Sequence, residues 1–512
     1  MVDFVGTNRG DTLTDGLIYI FNDRFSGLGG NDRISTYMGD DTVYGGDGDD
    51  TIIDGHIFGQ SGNDLYYGDA GNDLFYGGFG ADTIDGGAGI DTVNYTGAEA
   101  GVQVDLTRTT QTGSIAQGDR LFSIENITGS HHADRLTGNA SANILLGRGG
   151  DDQINGDAGN DQIMGEVGHD VLNGGTGNDA IYGGLDNDRI AGEGGNDQIY
   201  GGEDPDRISG GSGHDLIYGG TARDEITGDA GNDTLSGDAG NDVLDGGDGD
   251  DRVDAGAGDD LVTVGLGADT LIGGSGTDTI DFGFIAAFTQ GVGALLEIDM
   301  NAGVFGLTNF SGFERMIGSP NNDHIIGTGA GDGLQGEEGQ DLVQGGAGND
   351  RLFGGIGHDS LEGGAGRDTM DGGSGNDLLI GGAENDDLQG GAGDDRLEGG
   401  AGADLLTGGA GADRFVFARA SDSPNQPGGF DRITDFTRGS DRIDLSQIDA
   451  NLSLKGDQAF NFVAVGNGAG TVRAEQGNGK TTILVNIDGD GGPDLVIQLD
   501  RALNLTAADF IL

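Results

Sequence analysis

The sequence predicts an all-β protein built as a parallel β-solenoid, with two short strands and eighteen residues to each coil. Three features carry that prediction. An aspartate recurs every nine residues, an aliphatic residue stands two positions after it, and a glycine pair opens each repeat, as in GGAGNDRLF, GGIGHDSLE and GGAGRDTMD at residues 345–371. A triplet such as RLF reads as a minimal strand with its middle side chain inward. The preceding GGxGxD reads as a turn in which glycine supplies positive φ. One such strand buries almost nothing, so it must stack on its neighbours, and alternate repeats then share a face.

The elements follow in chain order. Residues 1–94 form an N-terminal array with Asp32, Asp41 and Asp50, an insertion near DGHIF, then Asp64, Asp73, Asp82 and Asp91. Residues 95–133 interrupt it, and the alternation in VQVDL and LFSIENI predicts a small inserted β module. Residues 134–280 are the long central array, opening on Asp134, with Asn143 in the one gap, and running from Asp152 to Asp278 without a slip of phase. Its aliphatic column reads Leu136, Leu145, Ile154, Ile163 and onward to Leu271 and Ile280. Tyr182, Tyr200 and Tyr218 recur every eighteen residues, as expected for one face. Residues 281–322 are a second insert, whose FSGFERMIGSPNND echoes LFSIENITGSHHAD of the first. Both inserts read as copies of one module that covers open strand edges and rejoins the rolls. Residues 323–413 form a third array from Asp323 to Asp413, and residues 414–512 a C-terminal β cap in which the nine-residue period stops.

Composition says what the repeat needs. The 512 residues include 111 glycines, 88 acidic against 24 basic groups, no cysteine and a formal charge of −64, with 34% apolar content. Such a chain resists collapse, and aspartates stacked at strand spacing repel one another. The sign of the charge excludes nucleic acid as a partner and favours cations. Absence of cysteine excludes disulfide stapling. No apolar run approaches the length of a membrane span, and MVDFVGTNRGDTL lacks the pattern of a cleaved signal peptide.

The turns offer hard oxygen ligands only: the aspartate carboxylate, backbone carbonyls, and the residue before the aspartate, as in Asn349, Asn376 and Asp394. Calcium accepts six to eight such oxygens, whereas magnesium keeps its waters and zinc takes His or Cys. The candidate metal ligands are Asp64, Asp73 and Asp82 in the first array. In the central array they are Asp152, Asp161, Asp170, Asp179, Asp188, Asp197, Asp206, Asp215, Asp224, Asp233, Asp242, Asp251, Asp260 and Asp269. In the third they are Asp341, Asp350, Asp359, Asp368, Asp377, Asp386, Asp395 and Asp404. If each ion lies between one turn and the turn a coil further on, the arrays hold about 27 Ca²⁺, nearly one per nonapeptide.

GGxGxDxUx in phase over this length resembles the RTX (repeats-in-toxin) family. The tail, with GGFDRITDFTRGSDRIDLSQID, VNIDGDGGPDLVIQLD and LTAADFIL, resembles the serralysin-type C-terminal domain. The resemblance implies a right-handed parallel β-roll. It also implies export by a bacterial type I machinery through an uncleaved C-terminal signal, an extracellular location, and folding outside the cell on meeting calcium. Asp509, Phe510, Ile511 and Leu512 match the acidic-then-apolar end of that domain.

No catalytic residues are expected. No histidine is followed by glutamate, so HExxH is absent, as is a GxSxG elbow. His169, His214 and His358 stand at the fifth turn position as ordinary polar residues, and His131 and His132 have no third ligand in sequence. Asn486, Asp488 and Asp490 imitate the start of an EF-hand loop, but Ile497 stands where its glutamate would be, so a hairpin is expected. The reading is a secreted calcium-binding roll without a catalytic domain, serving as an extracellular structural or binding component, with a polysaccharide or cell surface as the partner class. The alternative is a non-catalytic part of, or a cryptic, extracellular polysaccharide-acting or protease-related enzyme.

Overall fold

The computed structural model describes residues 3–14, 22–55, 62–283, 296–299, 304–305, 308–425, 429–450 and 458–512. The DGHIF insertion from His56 onward and much of the 281–322 insert lie outside the described residues. The described chain divides into two compact units, Met1–Leu261 with Gly265–Gly276, and Val262–Val264 with Thr277–Leu512. Among the described residues the regular structure is β, with short 3₁₀ turns such as Ser114–Ala116 and Ala507–Asp509.

In the first unit alternate repeats build two parallel ladders. One runs through Gln162–Val167, Ala180–Leu185, Gln198–Gly202, Leu216–Thr221 and Thr234–Ala239, the other through Val171–Thr176, Arg189–Gly194, Arg207–Ser212 and Glu225–Ala230. The register is eighteen residues per coil, with Ile163 opposite Ile181 and Leu172 opposite Ile190. The aliphatic column from Leu136 to Ile280 is buried throughout, no member more than 2% exposed. Tyr182, Tyr200 and Tyr218 stack outside it, their ring centroids 5.0 and 5.2 Å apart.

The strands are longer than the triplets suggest. Val171–Thr176 reads VLNGGT with Leu172 and Gly174 both inward, so the first glycine of the next repeat is the second core-facing position. It was hidden in the sequence because an inward residue without a side chain leaves no hydrophobic mark.

The first insert contributes rungs to the ladders it interrupts. Arg120–Phe122 pairs with Thr83–Asp85, Asn126–Thr128 with Thr92–Asn94, and Gln103–Asp105 with Arg135–Thr137. Both inserts rejoin in one way. Asp91 donates its N–H to the Glu125 carboxylate and accepts at its carbonyl from the N–H groups of Glu125 and Asn126. Asp278 makes the same three bonds with Glu314 and Arg315. The echo between LFSIENI and FSGFERMI is therefore an echo in geometry.

The second unit has two parallel ladders of its own, from Leu342–Ala347 to Arg396–Ala401 and from Gly333–Gly339 to Leu405–Ala410. They continue past the last nonapeptide. Arg414–Val416 pairs with Arg442–Asp444, which pairs with Phe510–Ile511. Asp431–Ile433 pairs with Leu405–Ala410 and with Leu495–Leu499. The antiparallel strands Thr471–Gly477, Lys480–Asn486 and Leu495–Leu499 complete this end, and the acidic loop after Asn486 is the hairpin expected there.

Candidate metal centre

The turn around Asp350 shows what the repeat builds. Its carboxylate is buried, and Oδ1 accepts the backbone N–H of Asp332, one coil earlier, at 2.8 Å. The same bond recurs along both columns, for example Asp152 to Asp170 and Asp359 to Asp377 at 2.8 and 2.9 Å. Oδ2 points the other way, beneath Gly345. A Cβ placed on Gly345 would lie 2.4 Å from this oxygen and 2.8 Å from the carbonyl oxygen of Gly363, one coil on. Glycine is required here to leave room for two oxygens. At Gly346 and Gly348 the cause differs, since φ is +99° and +125°.

Among the described residues Oδ2 of Asp350 has no hydrogen-bond partner, and neither do those of Asp73, Asp82, Asp152, Asp161, Asp170, Asp179, Asp188, Asp197, Asp206, Asp215, Asp224, Asp233, Asp242 and Asp251. The same holds for Asp341, Asp359, Asp368, Asp377, Asp386, Asp395 and Asp404. A buried acceptor without a donor is costly, and a repeated column of them marks a missing partner. Asp260 and Asp269 stand in the same buried column. Asp64 differs, because its Oδ2 accepts the Tyr66 hydroxyl at 2.6 Å.

Electrostatics agrees with the geometry. Burial pushes the Asp152, Asp206, Asp341 and Asp386 carboxyls up to about 8, with neighbouring aspartates adding to the rise. The Asp350 and Asp359 carboxyls are raised to about 6 by burial first, against the lowering effect of the N–H from the preceding coil. Two kinds of lone pair and no donor facing one buried slot call for a hard divalent cation. No group of three or more His, Cys, Asp or Glu side chains converges among the described residues, so backbone carbonyls must supply most of the ligands. That mixture suits calcium. The residues that would hold the ion are the aspartate through Oδ2 and the first glycine of the adjoining coil through its carbonyl. The bound ion supplies positive charge to a slot that otherwise contains only acceptors.

The residue before the aspartate has another task. Asn349, Asn376 and Asp394 are exposed, and their Oδ1 atoms accept the N–H groups of Arg367, Asp394 and Ala412 one coil on, at 2.8 Å each. The spacing predicts these oxygens as metal ligands, whereas they form an outer hydrogen-bonded ladder. His169, His214 and His358 join it, Nδ1 accepting from Asn187, Asn232 and Asn376 at 3.1, 2.8 and 2.7 Å.

Known proteins carry the same pattern. The family model for the RTX calcium-binding nonapeptide repeat matches residues 19–52 and 58–93, then overlapping windows over 128–284 and 309–379, more than half of the chain. The chain belongs to the RTX calcium-binding repeat family. The Peptidase M10 serralysin C-terminal model matches residues 368–512, so this RTX protein also carries a serralysin-like C-terminal domain. Metallopeptidase AprA of Pseudomonas marginalis is 39% identical over 83 residues, 16% of this chain and 16% of that protein. Among solved structures, the AlgE6R2 subunit of the Azotobacter vinelandii mannuronan C5-epimerase is 27% identical, covers 36% of this chain and 91% of that one, and has a TM-score of 0.20. The AlgE6R3 subunit is 26% identical, covers 38% and 80%, and has a TM-score of 0.16. No helix among the described residues is long and apolar enough to cross a membrane.

Proposed function

We propose that this RTX protein is exported unfolded by a type I system, folds on meeting calcium outside the cell, and acts there as a structural or binding component without a catalytic domain. The column of buried Oδ2 atoms lacking partners carries the reading. Inside a cell, where calcium is scarce, those carboxylates disfavour the coil, and outside, at about 10⁻³ M calcium, sites of modest affinity fill. Secretion is what the family and the serralysin-like domain support. Binding of an extracellular polysaccharide or cell surface is the partner class that fits regular, acidic coils.

Circular dichroism of the purified chain, first in chelator and then through a calcium titration, tests the folding step. Loss of β-structure in chelator and its cooperative return are expected. Full β-structure in chelator would sink the reading. An activity screen against glycans and protein substrates is expected to find no turnover, and calcium-dependent hydrolysis by the pure chain would overturn the non-enzymatic assignment.

A further inference from the structure

The aspartate columns contain two kinds of repeat. In most, the second position is Gly, Asp or Glu and Oδ2 is left without a partner. In four repeats of the central and third arrays the second position is Ser, Thr or Asn, and its own N–H turns onto the side chain four residues on; Thr7 with Asp11 and Thr437 with Asp441 make the same bond outside those two arrays. Ser130 donates its N–H to Asp134 Oδ2 at 2.5 Å and its hydroxyl to Oδ1 at 2.8 Å. Ser319 does the same to Asp323 at 2.6 and 3.0 Å. Thr328 donates its N–H and its hydroxyl to Asp332 Oδ2 at 2.6 and 2.9 Å. At the fourth repeat the Asn139 N–H reaches Asn143 Oδ1 at 2.7 Å, and the Asn143 amide nitrogen donates to the Glu125 carbonyl at 2.6 Å. Asn143 is neutral and points a donor at a carbonyl, which leaves no electrostatic call for an ion.

Within those two arrays their placement is not scattered. Asp134 and Asn143 open the central array, Asp323 and Asp332 the third, and each pair supplies one repeat to each ladder. Each pair directly follows an insert. In all four the strand stops before the first glycine, at Thr128, Thr137, Ile317 and Ile326, that glycine keeps its N–H on the next coil, and the N–H of the residue after it turns inward.

We infer that these four repeats take no calcium: both arrays start on a coil that the chain closes with its own hydrogen bonds, and ions begin one coil later, at Asp152 and Asp161 and at Asp341 and Asp350. The inference rests on the calcium reading above and narrows it, setting the ion count below one per nonapeptide. The Asp64 step belongs to the same class, since the Tyr66 hydroxyl fills Oδ2. In a solenoid whose coils are stabilised by their neighbours, a coil that needs no ion is the natural template for the first one that does.

Native mass spectrometry of the calcium-saturated full chain reads this directly. The double variant N139G/N143D and the single variants T328G and Y66F are each expected to gain one ion over the natural chain, while D350N loses at least one. An unchanged count in all three, with D350N still losing, overturns the inference and leaves the calcium reading standing. Absence of any bound calcium in the natural chain sinks the calcium reading, and this inference with it. The anomalous difference map of a calcium-loaded crystal gives the same answer without variants. Peaks are expected beside Oδ2 of Asp152, Asp161, Asp341 and Asp350, and peaks beside Asp134, Asn143, Asp323 or Asp332 overturn it.

Discussion

At the scale of single residues, the first glycine and the aspartate work as one unit. Gly345→Ala keeps an ordinary backbone conformation yet places a methyl 2.4 Å from Asp350 Oδ2, inside the cradle. It is expected to remove one calcium, as Asp350→Asn does, and to lower the melting temperature in calcium. Calorimetry in saturating calcium beside native mass spectrometry checks this, and a lower melting temperature with an undiminished ion count would mean that the glycine serves only the backbone. The aspartate was legible as a ligand because its period matched no packing need. The role of Asn349 was not, because an amide oxygen can ligate a metal or accept an N–H, and only the direction of the Arg367 N–H decides. The closed repeats were also written in the sequence, as Ser, Thr or Asn after the first glycine, but their meaning depends on where one backbone N–H points.

At the scale of the strand, alternation makes adjacent residues unequal. Leu352 is fully buried and Phe353 is 43% exposed, although Phe is the larger and more apolar-looking partner in RLF. Leu352→Ala is expected to cost about 2–5 kcal/mol, because neighbouring coils hold the backbone and the column cannot collapse. Phe353→Ser is expected to stay within about 1 kcal/mol. Chemical denaturation in saturating calcium measures both, and a reversal of the order would mean a register shifted by one residue. The nine-residue clock gave this register from sequence, since the aliphatic column admits one phase only. Strand length was less legible. Six-residue strands run on through a glycine pair that on its own reads as a turn, because the pair stays matched to its counterpart in the neighbouring coil, Gly346 opposite Gly364, even with Gly346 at positive φ.

For the molecule as a whole, proton and calcium compete for one set of oxygens. In the metal-free chain burial raises the aspartate carboxyls from 3.8 to about 6 at Asp161, Asp350 and Asp395, and to about 8 at Asp152, Asp341 and Asp386. Between these limits the folded coil keeps protons that the unfolded chain has released. Stability without metal therefore falls as pH rises from about 4 to about 8, and it is restored in full only where both states are protonated. Removing those charges also relieves the repulsion within a chain of formal charge −64. The chelated protein is accordingly expected to gain β-structure at pH 4.5 relative to pH 8. In calcium the order reverses, because each ion must displace a proton, so the calcium concentration at half-folding rises as pH falls below about 8. Far-ultraviolet circular dichroism at the two pH values, each with chelator and with a calcium titration, reads both effects on one sample. A chelated chain equally unstructured at pH 4.5 and pH 8 would show that charge on these aspartates is not what keeps the empty roll open. The calcium requirement would then have to come from lost coordination alone.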